Sequence, residues 1–425
     1  MPRTRPPPLT VTLIMLLCRM TAITALLATN ALVVQAQADP ALTRARRILK
    51  ASPLIDGHND LPYVIRVDKR APCDVEAYDL RKRSSGDTDL ERLRRGQVGA
   101  QFWSVFIPGD IRDSGYARVQ LEQIDIARRM IERYPEALTL ATTADGVTAA
   151  FRRGRIGSLL GMEGGHAIEN SLGALRAYYR LGVRYMTLTH NVTLDWADAA
   201  MDAPRHNGLT PFGREVVREM NRLGMIVDIS HVTPKVMHDV LDVAESPVMF
   251  SHSSAKAITD HPRNVPDDVL RRLPRNGGVV MITFIPAFVS QPVANWELQL
   301  AERTRGTVPA EAARISADFA RTSPKPVATL KDVADHIDYV RRTAGVDHVG
   351  IGSDFWGDPE MPTGLEDASR FPYLFAELIR RGWSDDDLAK LAGRNILRVL
   401  RGAEMSETRI RRLRPASTAT IEPLH

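Results

Sequence analysis

Residues that can bind metals or exchange protons follow short apolar runs at several points in this chain of 425 residues. They supply imidazole and carboxylate groups, and they are His58, Asp60, Glu163, His190, His231, His252 and Asp354. This mixture of groups suits Zn²⁺, with Co²⁺, Mn²⁺ or Fe²⁺ as replacements. A glutamate can also bridge two cations ~3.5–4 Å apart, the spacing found in two-metal hydrolases. The residue types therefore predict a metal site with room for two cations.

The spacing of these residues indicates how they would share the cations. His58 and Asp60 are two positions apart, so in an extended segment their side chains face the same way. On its own a His-x-Asp motif is weak, because it arises often by chance. His231 and His252 end consecutive predicted strands, and neighbouring parallel strands lie about 4.8 Å apart. Glu163 is followed by two glycines, which let backbone and metal approach closely.

Eight apolar runs are predicted to be the strands that position these groups. The runs are Pro53–Asp56, Gln101–Phe106, Gly157–Glu163, Arg184–Thr189, Met225–Ser230, Val248–Ser251, Gly278–Phe284 and Val349–Gly352. Amphipathic stretches between them predict helices, and this alternation favours parallel strands with right-handed crossovers. Because candidate ligands follow six of the eight runs, we expect a (β/α)8 TIM barrel with its site at the strand carboxyl ends. An open, doubly wound sheet is the alternative, although it would gather its site at one switch point.

The first 38 residues are predicted to be an export signal. Arg3 and Arg5 precede an apolar stretch, and Ala36-Gln37-Ala38 has the small-x-small pattern of a cleavage site. Translation from Met15 and retention as a transmembrane anchor are the alternatives. We expect an exported protein, periplasmic or secreted, with no stable membrane insertion after cleavage.

The remaining chain is predicted to be one barrel domain over residues 39–401, followed by a basic, disordered tail over residues 402–425. Residues 286–330, rich in Pro, Ala and Arg, form a predicted excursion with helices at 294–302 and 311–320. Excursions of this kind near the active face of a barrel are often lids or dimer contacts.

Charge and cysteine content restrict the partners and the sources of stability. The net charge is +5, but no basic stripe is interleaved with aromatic residues, so we expect no nucleic acid partner. Cleavage of the signal would leave Cys73 as the only cysteine, which excludes an internal disulfide. Nothing near Cys73 in the sequence looks like a base that would activate it.

Several motifs together resemble one enzyme family. They are Ile55–Pro62, Glu163–His166, Leu188–Asn191, Gly208–Gly213, Asp228–Val232, Ser251–Ser253, His261–Asn264 and Gly350–Phe355. In this order and spacing the chain resembles the membrane (renal) dipeptidases and their bacterial relatives, peptidase family M19, over about residues 45–400. The resemblance implies an amidohydrolase-like barrel and a zinc-dependent dipeptidase, with a homodimer as the assembly.

The resemblance also implies how two zinc ions per chain would be held. His58 and Asp60 would bind one ion, and His231 and His252 would bind the other. Glu163 would bridge the two ions together with the hydroxide that attacks the peptide bond. The absence of a His-x-His motif and of an evident carboxylated lysine distinguishes this set from phosphotriesterase-like barrels.

Three further residues take substrate roles by the same resemblance. His190 would polarise the scissile carbonyl and stabilise the developing oxyanion. Arg263 would pair with the terminal carboxylate of the substrate, which its planar guanidinium matches well. Asp354 would bind the free amino group and carry the proton to the leaving amine. The family acts on dipeptides that include a D-residue at the C-terminal position, so L-D dipeptides are expected substrates.

Two other functions remain open, and one position departs from the family. The chain could be a two-metal barrel amidohydrolase for another amide, lactone or β-lactam, or an exported metal-binding barrel without catalysis. His190 and Asp354, which the metals do not require, argue against the second of these. By the same resemblance aspartate is expected at position 356, where this chain has Trp356, a departure that bears on the side-chain preference.

Other polar and aromatic residues have weaker claims to function. His166 is predicted to be structural, His261 to position the loop of Arg263, and three histidines to be ordinary surface or core residues, namely His238, His336 and His348. Trp196, Asp202 and His206 either line the pocket or order the loop after His190, and the sequence leaves both readings open.

Overall fold

The structure is a computed structural model that describes residues 39–111, 115–357 and 360–421. The strands are β1 (Leu54–Asn59), β2 (Val98–Ser104), β3 (Leu138–Leu140), β4 (Ile156–Glu163), β5 (Val183–Thr187), β6 (Ile226–Asp228), β7 (Met249–Ser253), β8 (Val279–Ile282) and β9 (Val349–Ile351). All their pairings are parallel. β1 pairs with β9 and β2, and β2 pairs with β4, so eight strands close into a barrel. The predicted (β/α)8 fold is confirmed, and the open sheet is excluded.

Helices cover the outside of the barrel and fill its long loops. They are α1 (Pro40–Ala51), α2 (Leu61–Arg66), α3 (Leu90–Arg95), α4 (Tyr116–Arg133), α5 (Ala144–Arg152), α6 (Leu172–Arg180), α7 (Pro211–Leu223), α8 (Pro234–Val243), α9 (Asp267–Leu270), α10 (Leu273–Asn276), α11 (Pro286–Val289), α12 (Gln291–Thr304), α13 (Pro309–Thr322), α14 (Leu330–Ala344), α15 (Phe371–Arg380), α16 (Asp385–Ala389) and α17 (Asn395–Leu413). Several crossover helices begin where the sequence provides a cap. Thr210 and Thr233 accept hydrogen bonds from the third residue beyond them, and a proline follows each.

The barrel interior is closely packed beneath the strand carboxyl ends. Phe102, Leu159, Tyr185 and Met281 belong to one fully buried cluster. Tyr185 fits only because position 161 is glycine, since a Cβ there would stand 2.0 Å from the Tyr185 ring. The packed interior fixes the strand register, and with it the positions of the residues at the strand ends.

The sequence did not predict β3. It pairs only with the first half of β4, at residues 156–158, while β5 pairs with the second half from residue 160. With three residues, β3 is too short to give a periodic pattern. The two excursion helices are confirmed, as α12 and α13, each longer than predicted.

The expected disordered tail after residue 401 is wrong for its first half, because α17 continues to Leu413. Ala403 and Ile410 are buried, and Arg411 donates to the carbonyl of Arg222 on α7. Because the segment is rich in arginine, this apolar face is not evident from the sequence. Residues 1–38, which carry the predicted export signal, lie outside the described residues. Among the described residues, no helix has the length and apolar character needed to cross a membrane.

Candidate active site

Glu163, the last residue of β4, stands at the centre of a cluster of histidines at the carboxyl ends of the strands. Its Oε1 lies 3.0 Å from Nε2 of His231 and 3.3 Å from Nε2 of His252. The same oxygen lies 3.9 Å from Nε2 of His190. His231 follows β6, and His252 lies within β7. One carboxylate oxygen of β4 is therefore approached by three imidazoles, which come from the carboxyl ends of three further strands.

The other oxygen of Glu163 faces a second group. Its Oε2 lies 3.5 Å from Nε2 of His58 on β1. The same nitrogen lies 3.2 Å from Oδ2 of Asp60 and 3.8 Å from Oδ1 of Asp354. The structure thus brings together all seven residues that the sequence singled out, and it divides most of them between the two oxygens of Glu163.

The donor atoms fit divalent cations. The Nε2 atoms of His231 and His252 lie 2.8 Å apart, and when both rings carry their proton on Nδ1 the two lone pairs face Glu163 and can share a cation. Burial lowers the pKa of both imidazoles, so they are neutral, which is the form that ligates metals. Burial would raise the pKa of Glu163, but the surrounding histidines hold it well below its usual range. In addition, Oδ1 of Asp60 is buried without a hydrogen-bond partner among the described residues.

Hydrogen bonds behind the cluster orient the histidine rings. Nδ1 of His58 lies 2.8 Å from the hydroxyl of Tyr185, and Nδ1 of His231 lies 3.0 Å from Oδ1 of Asn191. Nδ1 of His252 lies 2.8 Å from Oγ of Ser251. Each partner occupies Nδ1 and leaves Nε2 to point at the cluster.

Sequence reasoning missed these partners. Asn191 and Ser251 lie within the family motifs, but nothing in the chain distinguishes them as ring partners. Tyr185 is an inward-facing residue of β5, and its place in an apolar run predicts only an ordinary core residue. Asp228 was also missed; its carboxylate accepts hydrogen bonds from Thr187 and Ser251, and so holds the hydroxyl that contacts His252.

We predict that Tyr185→Phe weakens metal binding about 10- to 100-fold, the usual effect of removing a hydrogen bond to a ligating histidine. The substitution leaves the ring that fills the space beside Gly161, so the barrel should stay intact. The measurement is metal affinity by competition with a chelator. Tyr134→Phe, which removes a buried hydroxyl bonded to the Leu80 amide, is the matched control. Unchanged affinity in Tyr185→Phe would show that the hydroxyl does not orient His58.

Two residues of the cluster occupy the left-handed backbone region. His231 has φ 66° and Asp354 has φ 63°, a conformation that L-residues other than glycine rarely adopt. The Asp354 amide donates to the carbonyl of His58, and its neighbour Ser353 donates two hydrogen bonds to the buried carboxylate of Asp56. Burial raises the pKa of Asp56 to about 6 and that of Asp354 to about 7. Asp56 follows the same apolar run as His58, yet it supports the Asp354 loop rather than facing the cluster.

Arg263 carries a buried charge with unused donors. Its side chain is almost wholly enclosed, with 2% of the residue exposed. Nη2 donates to the carbonyl of His252, whereas Nε and Nη1 have no hydrogen-bond partner among the described residues. Burial lowers the pKa of Arg263 to about 10, so it stays protonated at neutral pH. Buried, unpaired guanidinium donors of this kind match an incoming carboxylate.

A cavity of about 520 Å³ opens above the cluster and connects it to Arg263. Its apolar lining includes Tyr63, Phe106, Trp356, Ile285 and Phe288, and the Arg263 guanidinium lies 5.4 Å from the centre of the Phe288 ring. The excursion contributes two charged lining residues, Glu297 and Lys325, and Lys325 lies 3.0 Å from Glu297 and 2.6 Å from Glu360, which follows β9. The predicted excursion between the last two strands therefore borders the site.

The weaker candidates lie in supporting positions. His261 contacts the cavity, and its Nδ1 accepts a hydrogen bond from the Arg263 amide. His166 contacts the carbonyl of Ile107. Asp202 and His206 bond to backbone groups at residues 193 and 194, and Trp196 is buried, so they order the loop. The other histidines have structural contacts away from the cluster, His238 with Asp268, His336 with the Ala255 amide and His348 with the Gly278 carbonyl.

Comparison with known proteins agrees with this arrangement. The family model for membrane dipeptidases, peptidase family M19, matches residues 42–413. The chain belongs to the membrane dipeptidase family. It is therefore a metallodipeptidase, and its substrates are dipeptides.

Individual relatives of the dipeptidase span nearly the same length. It is 44% identical to an uncharacterized dipeptidase of Schizosaccharomyces pombe over 381 residues, which is 85% of this chain and 83% of that protein. The probable dipeptidase PvdM from Pseudomonas aeruginosa shares the fold, with a TM-score of 0.73, 24% identity, and 86% and 99% of the two chains covered. A metallopeptidase from Rhodobacter sphaeroides, liganded with a phosphinate mimic of the dipeptide L-Ala-D-Ala, has a TM-score of 0.68 at 25% identity, covering 83% and 99%.

Proposed function

We propose that the dipeptidase holds two zinc ions, one bound by His58 and Asp60 and the other by His231 and His252, with Glu163 shared between them. The observation that carries this proposal is the division of contacts between the two oxygens of Glu163. Neutral imidazoles and carboxylates suit zinc, although cobalt, manganese or iron could take the same ligands. When bound, a pair of such ions activates water and polarises a carbonyl.

The two ends of the substrate are proposed to be held by opposite charges. The free donors of Arg263 would receive the C-terminal carboxylate, and Asp354 would receive the N-terminal ammonium. Both residues line the same cavity as the cluster, so the peptide bond between the two ends would lie over Glu163. A third residue would displace one end and leave a buried charge without its partner, which costs several kcal/mol.

The protein side chains would then complete the hydrolysis. Water adds to the carbonyl carbon, and the bond between that carbon and the peptide nitrogen breaks. His190 lies beside the cluster and would donate a hydrogen bond to the carbonyl oxygen as charge develops there. Asp354 would accept a proton from the attacking water and deliver it to the leaving nitrogen, so that one carboxylic acid and one amine are released.

We predict that activity depends on both free ends of the substrate. L-Ala-L-Ala should be hydrolysed much faster than its amide, its N-acetyl derivative or L-Ala-L-Ala-L-Ala. Arg263→Ala should raise KM for the free dipeptide about 30-fold or more, because truncating one partner of a buried charge pair costs roughly 2–5 kcal/mol. The measurement is steady-state kinetics on the four compounds.

Arg263→Lys and Arg412→Ala are the controls for this experiment. The lysine keeps the charge without the planar fork, so it should restore part of the affinity. Arg412 lies near the exposed end of α17, and its removal should leave KM unchanged. Cleavage of the blocked compounds at the rate of the free dipeptide would instead favour a broader amidohydrolase.

We propose that L-D dipeptides are among the substrates. The support is the Rhodobacter sphaeroides relative, whose structure carries a mimic of L-Ala-D-Ala. Export through residues 1–38, a location in the periplasm or outside the cell, and assembly as a homodimer remain proposals that rest on the sequence and on the family resemblance.

A further inference from the structure

Trp356 is an exposed aromatic side chain on a fixed backbone. Of the five tryptophans, all within the described residues, it alone is exposed, at 51%. The preceding Phe355 is buried, with its ring 5.8 Å from that of Phe284. The following Gly357 amide donates a hydrogen bond of 2.7 Å to the buried carboxylate of Asp87. Burial on one side and a hydrogen bond on the other therefore hold the Trp356 backbone in place while its ring stays open to solvent.

Trp356 lines the catalytic cavity together with other aromatic residues. Tyr63 and Phe106 line the same cavity, and their rings meet edge to face at 4.9 Å. The Trp356 segment approaches the helix of Tyr63 closely, since a Cβ on Gly357 would lie 3.3 Å from the Val64 side chain. These residues contribute apolar surface to the cavity that Asp354 and Arg263 also line.

We propose that Trp356, with Tyr63, forms the subsite that selects the side chain of the substrate's N-terminal residue, and that the subsite prefers large apolar side chains. This inference rests on the proposed function, in which Asp354 anchors the N-terminal ammonium. Trp356 is two residues beyond Asp354, so the side chain on the anchored residue is the one within reach. An aromatic ring covers such a side chain and removes its apolar surface from water.

The chemistry of the side chain at this position decides the preference. A carboxylate here would be desolvated by an apolar side chain placed against it. An indole ring favours the same side chain. In the described part of the chain, no hydrogen bond, ion pair or ring contact joins Trp356 to the metal-ligand cluster, so it would act on the choice of substrate rather than on the chemical step.

The experiment compares kcat/KM on two dipeptide series with metal-loaded, full-length enzyme. One series varies the N-terminal residue, as Gly-Ala, Ala-Ala, Leu-Ala and Phe-Ala. The other varies the C-terminal residue, as Ala-Gly, Ala-Ala, Ala-Leu and Ala-Phe. The variants are Trp356→Ala and Trp356→Phe, and the control is Met405→Ala, which removes another large apolar side chain that is 68% exposed but lies on α17.

We expect Trp356→Ala to lower the ratio of Phe-Ala to Gly-Ala activity about ten-fold, the usual size of such an apolar contact. Trp356→Phe should restore most of this ratio, and Met405→Ala should not change it. An unchanged ratio in Trp356→Ala, or a change confined to the C-terminal series, would overturn the inference. Failure of the proposed function would appear separately, as cleavage of N-acetyl-Phe-Ala by the wild-type enzyme at the rate of Phe-Ala.

Discussion

Asp354→Asn should retain both metal ions and lose most of kcat. Asparagine has nearly the same shape as aspartate, but it cannot take a proton from water or return one to the leaving nitrogen. Removing a positioned proton-transfer group typically costs about 10²- to 10⁴-fold in rate. The carboxyl group has the setting that this role needs, because burial raises its pKa to about 7, close to neutral pH. The measurements are kcat on L-Ala-L-Ala and the metal content of the purified variant.

The metal content decides between two roles for Asp354. Its Oδ1 lies 3.8 Å from Nε2 of His58, and His58, Asp60 and Asp354 together form a group that could hold a metal ion. If Asp354 were a ligand, the asparagine variant would lose about one ion per chain. Asp318→Asn, at an exposed position on α13, should affect neither quantity. Activity near that of the wild type would exclude Asp354 from proton transfer.

Glu163→Ala should empty both metal positions at once. The two oxygens of this carboxylate face different ligand groups, so its removal takes one ligand from each. The remaining pairs, His58 with Asp60 and His231 with His252, offer only two protein ligands each, fewer than the three or more of ordinary zinc sites. We expect well under one equivalent of metal per chain and no measurable hydrolysis of dipeptides.

Single histidine variants give the comparison for Glu163→Ala. His58→Ala should chiefly deplete one position and His252→Ala the other, because each contacts only one oxygen of Glu163. Circular dichroism would show that all three variants keep the barrel. Retention of one full equivalent of metal by Glu163→Ala would mean that the carboxylate is not shared. Wild-type enzyme without zinc should be inactive and regain activity when zinc is added.

The residues of the cluster could be predicted because each follows an apolar run that forms a strand of the barrel. Parallel strands deliver their carboxyl ends to one face, so His58, Glu163 and His252 had to converge once the barrel was correct. The supporting residues could not be predicted in this way. Tyr185 reads as an ordinary core residue, and its role depends on the space left by Gly161 on the neighbouring strand. The availability of Arg263 likewise follows from two buried nitrogens that have no hydrogen-bond partner among the described residues, which no local pattern records.

Errors in the predicted fold have similar causes. The formation of β3 depends on the first residues of β4, which β5 leaves unpaired, rather than on the sequence of β3 itself. The helix that replaced the expected tail carries arginines on its outer face, among which Arg409 pairs with Glu245 and Arg411 with Glu407. Composition suggested disorder, but the buried face of α17 decides the structure.

The left-handed conformations of His231 and Asp354 oppose folding. Each such residue costs of order 1–3 kcal/mol unless it is glycine. A lineage selected only for a stable barrel would therefore drift towards glycine at both positions, losing a proposed metal ligand and the group proposed to carry the proton. At these two positions selection for stability favours glycine, whereas selection for dipeptidase activity favours histidine and aspartate. Natural variants with glycine there are expected to be more stable and catalytically inactive.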